Sequence, residues 1–247
     1  MNEELIKEKT YRAIRHDIKR AQQKGNAENV HHPDEKINQL LRTKSIISSV
    51  KSNVSILELF GGWGNLTKEY LNIGGVTVLE KDTDKCAHLK DSIKATEVVR
   101  ADSFLKVYEL ISKKRSYDIV DADPYGFPNR LFPHIFLMMK RSLFYVTIPK
   151  PYVNILNGMT QAHLHCYYNS TNPSLEEIVN QIAVWGLCHW RKVEMVDALD
   201  LKSVWRVCFF VERVKATDYT GVVNRPSVDK IEVTVTSENG GEQLNLL

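Results

Sequence analysis

The stretch Val54-Ser55-Ile56-Leu57-Glu58-Leu59-Phe60-Gly61-Gly62-Trp63-Gly64-Asn65 constrains the fold of this chain more than any other. An apolar run of strand length ends abruptly in glycines, and apolar residues at helical spacing follow from Leu66 to Leu71. The pattern reads as strand, tight turn and helix. Glycine permits positive φ and a close approach of a ligand to the main chain, and the helix start beyond it offers N–H groups without an intrahelical partner. By itself the turn fits an ordinary strand-to-helix connection as well as a nucleotide or cofactor site.

The segments that follow repeat the theme. Val76-Thr77-Val78-Leu79-Glu80 is a second apolar run ending in an acid. Glu80 lies roughly 20 residues past the glycines, where a ribose-binding carboxylate belongs in a Rossmann-like unit. Val98 to Asp102 is a third such run, and Tyr117-Asp118-Ile119-Val120-Asp121-Ala122-Asp123-Pro124-Tyr125-Gly126 a fourth. Helical patterns separate them, near 83–94 and 103–113. A further helix is expected over Pro128 to Lys140, with Leu131, Ile135, Phe136 and Met139 toward the sheet, then a strand at 143–148. Residues 149–172 read as a long irregular loop at the rim. Ser174, with Glu176 and Glu177 behind it, opens a helix to Trp185-Gly186. Strands near 190–197 and 203–213 follow, linked like a hairpin by Leu199 to Lys202. Such alternation predicts a parallel sheet with helices on both faces.

Two helical patterns precede this region. Residues 3 to 24 place Leu5, Ile6, Tyr11, Ile14, Ile18 and Ala21 on one side, while Lys7, Lys9, Arg12, Arg15, Lys19, Arg20 and Lys24 crowd the rest. That is either a solvated face or a basic helix lying along phosphates. Pro33 opens a second helix, Asp34 to Val50, with Ile37, Leu40, Leu41, Ile46 and Ile47 as its apolar side. The expected organisation is a helical extension at 1–50, an α/β domain at 51–214 and a polar tail at 215–247. In the tail Ile231 to Val235 is a candidate edge strand, and the residues from Ser237 have the composition of a disordered segment.

In order, Glu58…Gly62-x-Gly64, Glu80, Asp102 and Asp123-Pro124-Tyr125 resemble the class I S-adenosylmethionine (SAM) methyltransferases, over about residues 50–215. A dehydrogenase would share the glycine turn but not Asp-Pro-Tyr at the fourth strand end. The resemblance implies a Rossmann-like, mostly parallel sheet of seven strands closed by a C-terminal antiparallel hairpin, with SAM as cofactor. By the same resemblance Glu58 would orient the glycine loop or meet the methionine amino group. Phe60, Gly62, Gly64 and Asn65 would form the turn against the cofactor. Glu80, with Lys81 beside it, would accept two hydrogen bonds from ribose hydroxyls, and Asp102 with Ser103 would face the adenine.

Asp123-Pro124-Tyr125 carries the chemistry. An exocyclic base amine is a weak nucleophile because its lone pair is delocalised into the ring. A carboxylate and a rigidly held proline carbonyl can accept its N–H groups and turn the lone pair toward a methyl donor. The tyrosine offers a face for a flipped base. Asp121-Ala-Asp123-Pro124-Tyr125-Gly126-Phe127-Pro128 is similar to the Asp-x-Asp-Pro-Phe-Gly-x-Pro of the tRNA guanine N2-methyltransferases, and Thr147 and Leu156-Asn157-Gly158 are weakly similar to that family. That family's N-terminal arginine-bearing motif has no counterpart here, and the chain lacks room for its C-terminal domain. The expectation is N-methylation of a nucleobase amine, with guanine N2 in tRNA or rRNA favoured. Adenine N6 of DNA is the alternative, and a non-catalytic SAM-fold module that binds RNA or a protein is a further one.

Other classes are disfavoured. Cytosine C5 chemistry needs a thiol in the fourth motif, and no cysteine lies between Cys86 and Cys166. Cys86, Cys166, Cys188 and Cys208 form no Cys-x-x-Cys pair, so they read as reduced, mostly buried thiols rather than a zinc ribbon. His31-His32 and His163-Leu164-His165-Cys166 lack the further ligands of a metal site, so none is expected. No apolar run approaches the ~20 residues of a membrane span, and the polar, acidic start Met1-Asn2-Glu3-Glu4 is unlike a signal peptide, so a cytoplasmic protein with no membrane partner is expected. A net charge of +3 among 247 residues does not by itself announce nucleic acid.

Overall fold

β-Branched and aliphatic runs of four to eleven residues build the centre of the molecule. The structure is a computed structural model that describes residues 32–124, 126–151 and 161–214. The basic segment 3–24, His31, Tyr125, Leu156-Asn157-Gly158 and the tail from residue 215 lie outside the described residues. All described elements belong to the unit that ends at Arg213.

The strands are β1 (Val54–Leu59), β2 (Gly74–Glu80), β3 (Glu97–Arg100), β4 (Tyr117–Ala122), β5 (Met139–Pro149), β6 (Arg191–Asp200) and β7 (Val204–Arg213). They form one sheet in the order β3-β2-β1-β4-β5-β7-β6. The first five are parallel, while β7 enters antiparallel between β5 and β6. Strands β1, β4 and β5 are buried at nearly every position because helices cover both faces.

The helices are α1 (Pro33–Thr43), α2 (Ser45–Ser48), α3 (Asn65–Leu71), α4 (Thr83–His88), α5 (Ser103–Ser112), α6 (Phe132–Ile135), α7 (Gln161–Tyr168) and α8 (Leu175–Cys188). One core layer joins α1–α4 to the sheet through Leu40, Ile47, Ile56, Leu66, Tyr70, Val78, Leu89 and Tyr145. The other joins α5–α8 through Leu57, Val107, Phe132, Phe144, Leu164, Ile182 and Phe209. Each such apolar side chain contributes roughly 1.5–3 kcal/mol on burial.

The structure corrects four sequence expectations. The helix expected over Pro128 to Lys140 is only α6 plus a 3-10 turn at Phe136–Met138. Met139 already pairs with Tyr117 as the start of β5, while the less buried positions Arg130, Pro133, His134, Leu137 and Lys140 keep helical spacing into the strand, so period alone did not mark the boundary. The rim segment 149–172 contains α7, held by buried Leu164 and by Tyr168, whose hydroxyl donates to Asn129 Oδ1 at 2.6 Å. The pattern over 83–94 ends not as α-helix but as a π-turn, Leu89–Ile93. The helix expected over Asp34 to Val50 breaks at Lys44, and Leu41 is exposed while Lys36, Gln39, Leu40 and Thr43 are buried. The thiols also divide: Cys86 and Cys208 are buried, Cys166 and Cys188 exposed.

Candidate active site at the carboxyl ends of the parallel strands

The turn after β1 takes left-handed backbone at Phe60 (φ 67°), Gly62 (φ 55°) and Gly64 (φ 79°). For a bulky residue such as Phe60 this costs about 1–2 kcal/mol. Its ring is held edge-on to Phe104, with centroids 5.4 Å apart. The glycines do different jobs. A Cβ at Gly61 would meet Val78 Cγ1 at 2.2 Å, and one at Gly64 would meet Leu89 Cδ2 at 2.9 Å. Those two positions serve packing. At Gly62 the nearest atom would be 4.0 Å away, so this glycine alone of the three faces open space. Asn65 is exposed at the start of α3.

Glu80 closes over this turn. Its Oε2 accepts the Gly62 N–H at 2.8 Å, and Oε1 accepts those of Lys81 and Asp82 at 2.7 and 2.9 Å. A carboxylate has about four acceptor sites, so one is left for a hydroxyl. A second bond to the same ligand would displace the Gly62 N–H. Asp102 caps α5, its Oδ1 accepting the Phe104 N–H at 3.0 Å, while Oδ2 lies 3.6 Å from Lys81 Nζ. Lys81 is well exposed and Asp102 partly so, so that ion pair adds little stability. Ser103 is buried behind it. The Arg130 guanidinium stands 5.1 Å from the Phe104 ring centroid. An open glycine, a carboxylate with a spare acceptor and an aromatic pair beside an acid suit a nucleoside.

The floor between β1, β4, β5 and β7 is polar and buried. Register pairs Glu58 with Asp121 and Thr147 with Arg206. Arg206, fully buried, donates from both terminal nitrogens to Asp121, at 3.0 Å to Oδ1 and 2.6 Å to Oδ2, and from one of them to Thr147 Oγ1 at 3.2 Å. Tyr70 donates its hydroxyl to Asp121 Oδ2 at 2.5 Å. Glu58 accepts from Thr67 Oγ1 at 2.5 Å. Burial raises its carboxyl, the Thr67 bond opposes this, and the neighbouring Asp121 and Asp123 raise it further, to about 8. Glu58 is therefore mostly protonated at neutral pH.

Asp123 follows β4 on the same face, with its side chain about one quarter exposed (26%). Lys36 of α1 reaches it, Nζ to Oδ2 at 2.5 Å, through a side chain only 5% exposed. Burial alone would raise the Asp123 carboxyl, but the charges of Lys36 and Arg206, with hydrogen bonds from Lys36 and Thr147, hold it below the ordinary carboxylate value. Pro124 is buried, and Gly126 takes φ 107° just beyond it.

The sequence-derived residues thus gather in two groups. Phe60, Gly62, Glu80, Lys81, Asp102 and Ser103 form one, and Glu58 with Asp123 and Pro124 the other, between β1 and β4. Lys36, Gln39, Tyr70, Asp121 and Arg206 went unassigned. A lone arginine inside Val204-Trp205-Arg206-Val207-Cys208 was the available signal, since a charge in a buried strand needs a partner.

Solved structures of other proteins share this architecture. Trm1 from Pyrococcus horikoshii, in complex with S-adenosyl-L-methionine, matches with a TM-score of 0.56 at 13% identity, over 74% of this chain and 56% of that one. The plantazolicin methyltransferase BpumL, bound to a monoazolic desmethylPZN analogue and SAH, matches with a TM-score of 0.54 at 13% identity, over 85% of this chain and 100% of that one. This chain has the class I SAM-dependent methyltransferase fold. No family model and no curated protein matches its sequence. The chain spans just over half the length of the Pyrococcus protein. In the methyltransferase fold the strand order reverses between β1 and β4, and a crevice opens there at their carboxyl ends. Glu58 and Asp121 come from those two strands, and Asp123 follows the second of them.

Proposed function

We propose that this chain is a SAM-dependent N-methyltransferase acting on an exocyclic amine of a nucleobase, guanine N2 of tRNA or rRNA first, and that it works in the cytoplasm. One observation carries the reading: an ionised, mostly buried carboxylate, Asp123, stands with Pro124 at the strand-order reversal, at the same edge of the sheet as the Gly62–Glu80 cradle. When bound, SAM supplies an electrophilic methyl group on a sulfonium. Gly62 gives the cofactor room, Glu80 accepts from a ribose hydroxyl, and Asp102, Phe60 and Phe104 flank the adenine. Asp123 is acceptor-only while ionised, so it takes one N–H of the amine, and the Pro124 carbonyl takes the other. Tyr125 stacks on the base.

RNA is favoured by the likeness of Asp121-Ala-Asp123-Pro124-Tyr125-Gly126-Phe127-Pro128 to the tRNA guanine N2-methyltransferases. The basic segment 3–24 would lie along its phosphates. Among the described residues no helix is long and apolar enough to cross a membrane. The test measures tritium transfer from methyl-labelled SAM to total RNA and to unmethylated genomic DNA. Asp123→Ala should lower transfer to RNA by about 100-fold or more, the scale set by removing one preorganised contact to the reacting centre. SAM binding by calorimetry should stay within about threefold, which also shows that the variant folds. Normal turnover in Asp123→Ala would remove the motif from the mechanism, and transfer to DNA alone would select adenine N6.

A further inference from the structure

Lys36 belongs to a helix that precedes the α/β sheet, yet its ammonium ends at Asp123. The helix is held where this contact requires. Gln39 Nε2 donates to the Arg206 carbonyl at 3.2 Å, the Thr43 and Tyr145 hydroxyls pair at 2.6 Å, and Arg42 meets Asp197 at 2.7 Å. Lys36, Gln39 and Thr43 follow one helical stripe with Leu40, so the buried face of α1 is built largely for polar contact.

A charge count at Asp123 shows what Lys36 adds. Facing it are Lys36 from α1, Arg206 from β7, Glu58 from β1 and the Thr147 hydroxyl from β5, with Asp121 beside it on β4. Arg206 is committed to Asp121 by two hydrogen bonds. Glu58, titrating at about 8, is mostly neutral at pH 7. Lys36 is therefore the cation that balances Asp123. We propose that Lys36 is a positioning residue for methyl transfer, orienting the Asp123 carboxylate through Oδ2 and keeping it an acceptor for the substrate amine. This rests on the function proposed for Asp123 above. The competing role for the same contact is a block, in which the ammonium occupies the place of the amine.

The full chain and its Lys36→Met, Lys36→Gln and Lys36→Arg variants are compared for tritium transfer to RNA and DNA from pH 4 to 9, with SAM binding measured alongside. Loss of an opposite charge at this range raises the pH at which a carboxyl titrates by roughly 1–3. The acid limb of kcat in Lys36→Met should move up by that amount. Its rate at pH 4 relative to pH 8 should drop roughly tenfold for each whole pH step by which the moved limb lies above pH 4, while the unaltered chain loses far less. KM for RNA and the SAM Kd should change less than about threefold, and Lys36→Arg should restore the original limb. Lys36→Gln replaces Lys36→Met if the latter fails to bind SAM. An unmoved acid limb in a folded neutral variant, or a faster rate, overturns the proposal while leaving the Asp123 reading intact. No transfer to either nucleic acid by the unaltered chain, or full transfer by Asp123→Ala, overturns both.

Discussion

Glu58 shows how far burial can shift the chemistry of one side chain. Expected to orient the glycine loop or meet the methionine amino group, Glu58 is buried, bonded to Thr67 and close to two other carboxylates. Its folded carboxyl titrates at about 8 against an ordinary 4.5. Between those values the folded state holds a proton that the unfolded chain has released, so rising pH removes stability across that window. Urea melts from pH 5 to 8 should show this decline. Glu58→Gln, which cannot ionise, should flatten it, and an equally steep decline in the variant would place the titration elsewhere. Nothing local marks Lys36, beside Asp34 and Glu35 on a helix, for burial; its side chain is buried where it meets Asp123.

At the scale of elements, legibility followed locality. The start of α8 was readable because Ser174 and Glu177 satisfy each other: Ser174 Oγ accepts the Glu177 N–H at 3.2 Å and Glu177 Oε2 accepts the Ser174 N–H at 2.6 Å. Ser174→Ala should cost about 1 kcal/mol, and for a domain of this size the melting temperature should fall by roughly 2–4 °C. Thermal melts of the two proteins check this, and an unchanged midpoint would mean that the cap is redundant with the packing of Ile178 and Ile182. The segment 128–140 failed for the converse reason. Leu131, Phe132, Ile135, Phe136, Met138 and Met139 are all buried, and the exposed positions between them keep helical spacing through Lys140, past the point where β5 begins. What decides there is the pairing of β5 with β4 and β7. In α1 the apolar stripe read from Ile37, Leu40 and Leu41 was off by part of a turn, because buried partners draw Lys36 and Gln39 inward.

For the molecule as a whole, the Arg206–Asp121 pair ties the antiparallel hairpin to the parallel half of the sheet across β5. Both side chains are essentially out of water. Asp121→Asn would leave the guanidinium without its counter-charge and should destabilise the fold by about 3–5 kcal/mol. Replacing both residues with apolar ones of similar volume should recover much of that loss, as measured by urea unfolding. A mild effect of Asp121→Asn alone would show that Tyr70 and Thr147 suffice for Arg206.

The order of strands, turns and acids was written in the chain itself, because hydrophobic period, glycine and proline act over a few residues. That was enough to expect the glycine turn, Glu80, Asp102 and Asp123 at the ends of successive strands, and the late hairpin. Which glycine faces open space, which carboxyl stays protonated and which lysine meets Asp123 were settled only when elements distant in sequence packed together. Burial and opposing charge depend on neighbours in space, and a linear sequence carries no record of those until the sheet has set its register.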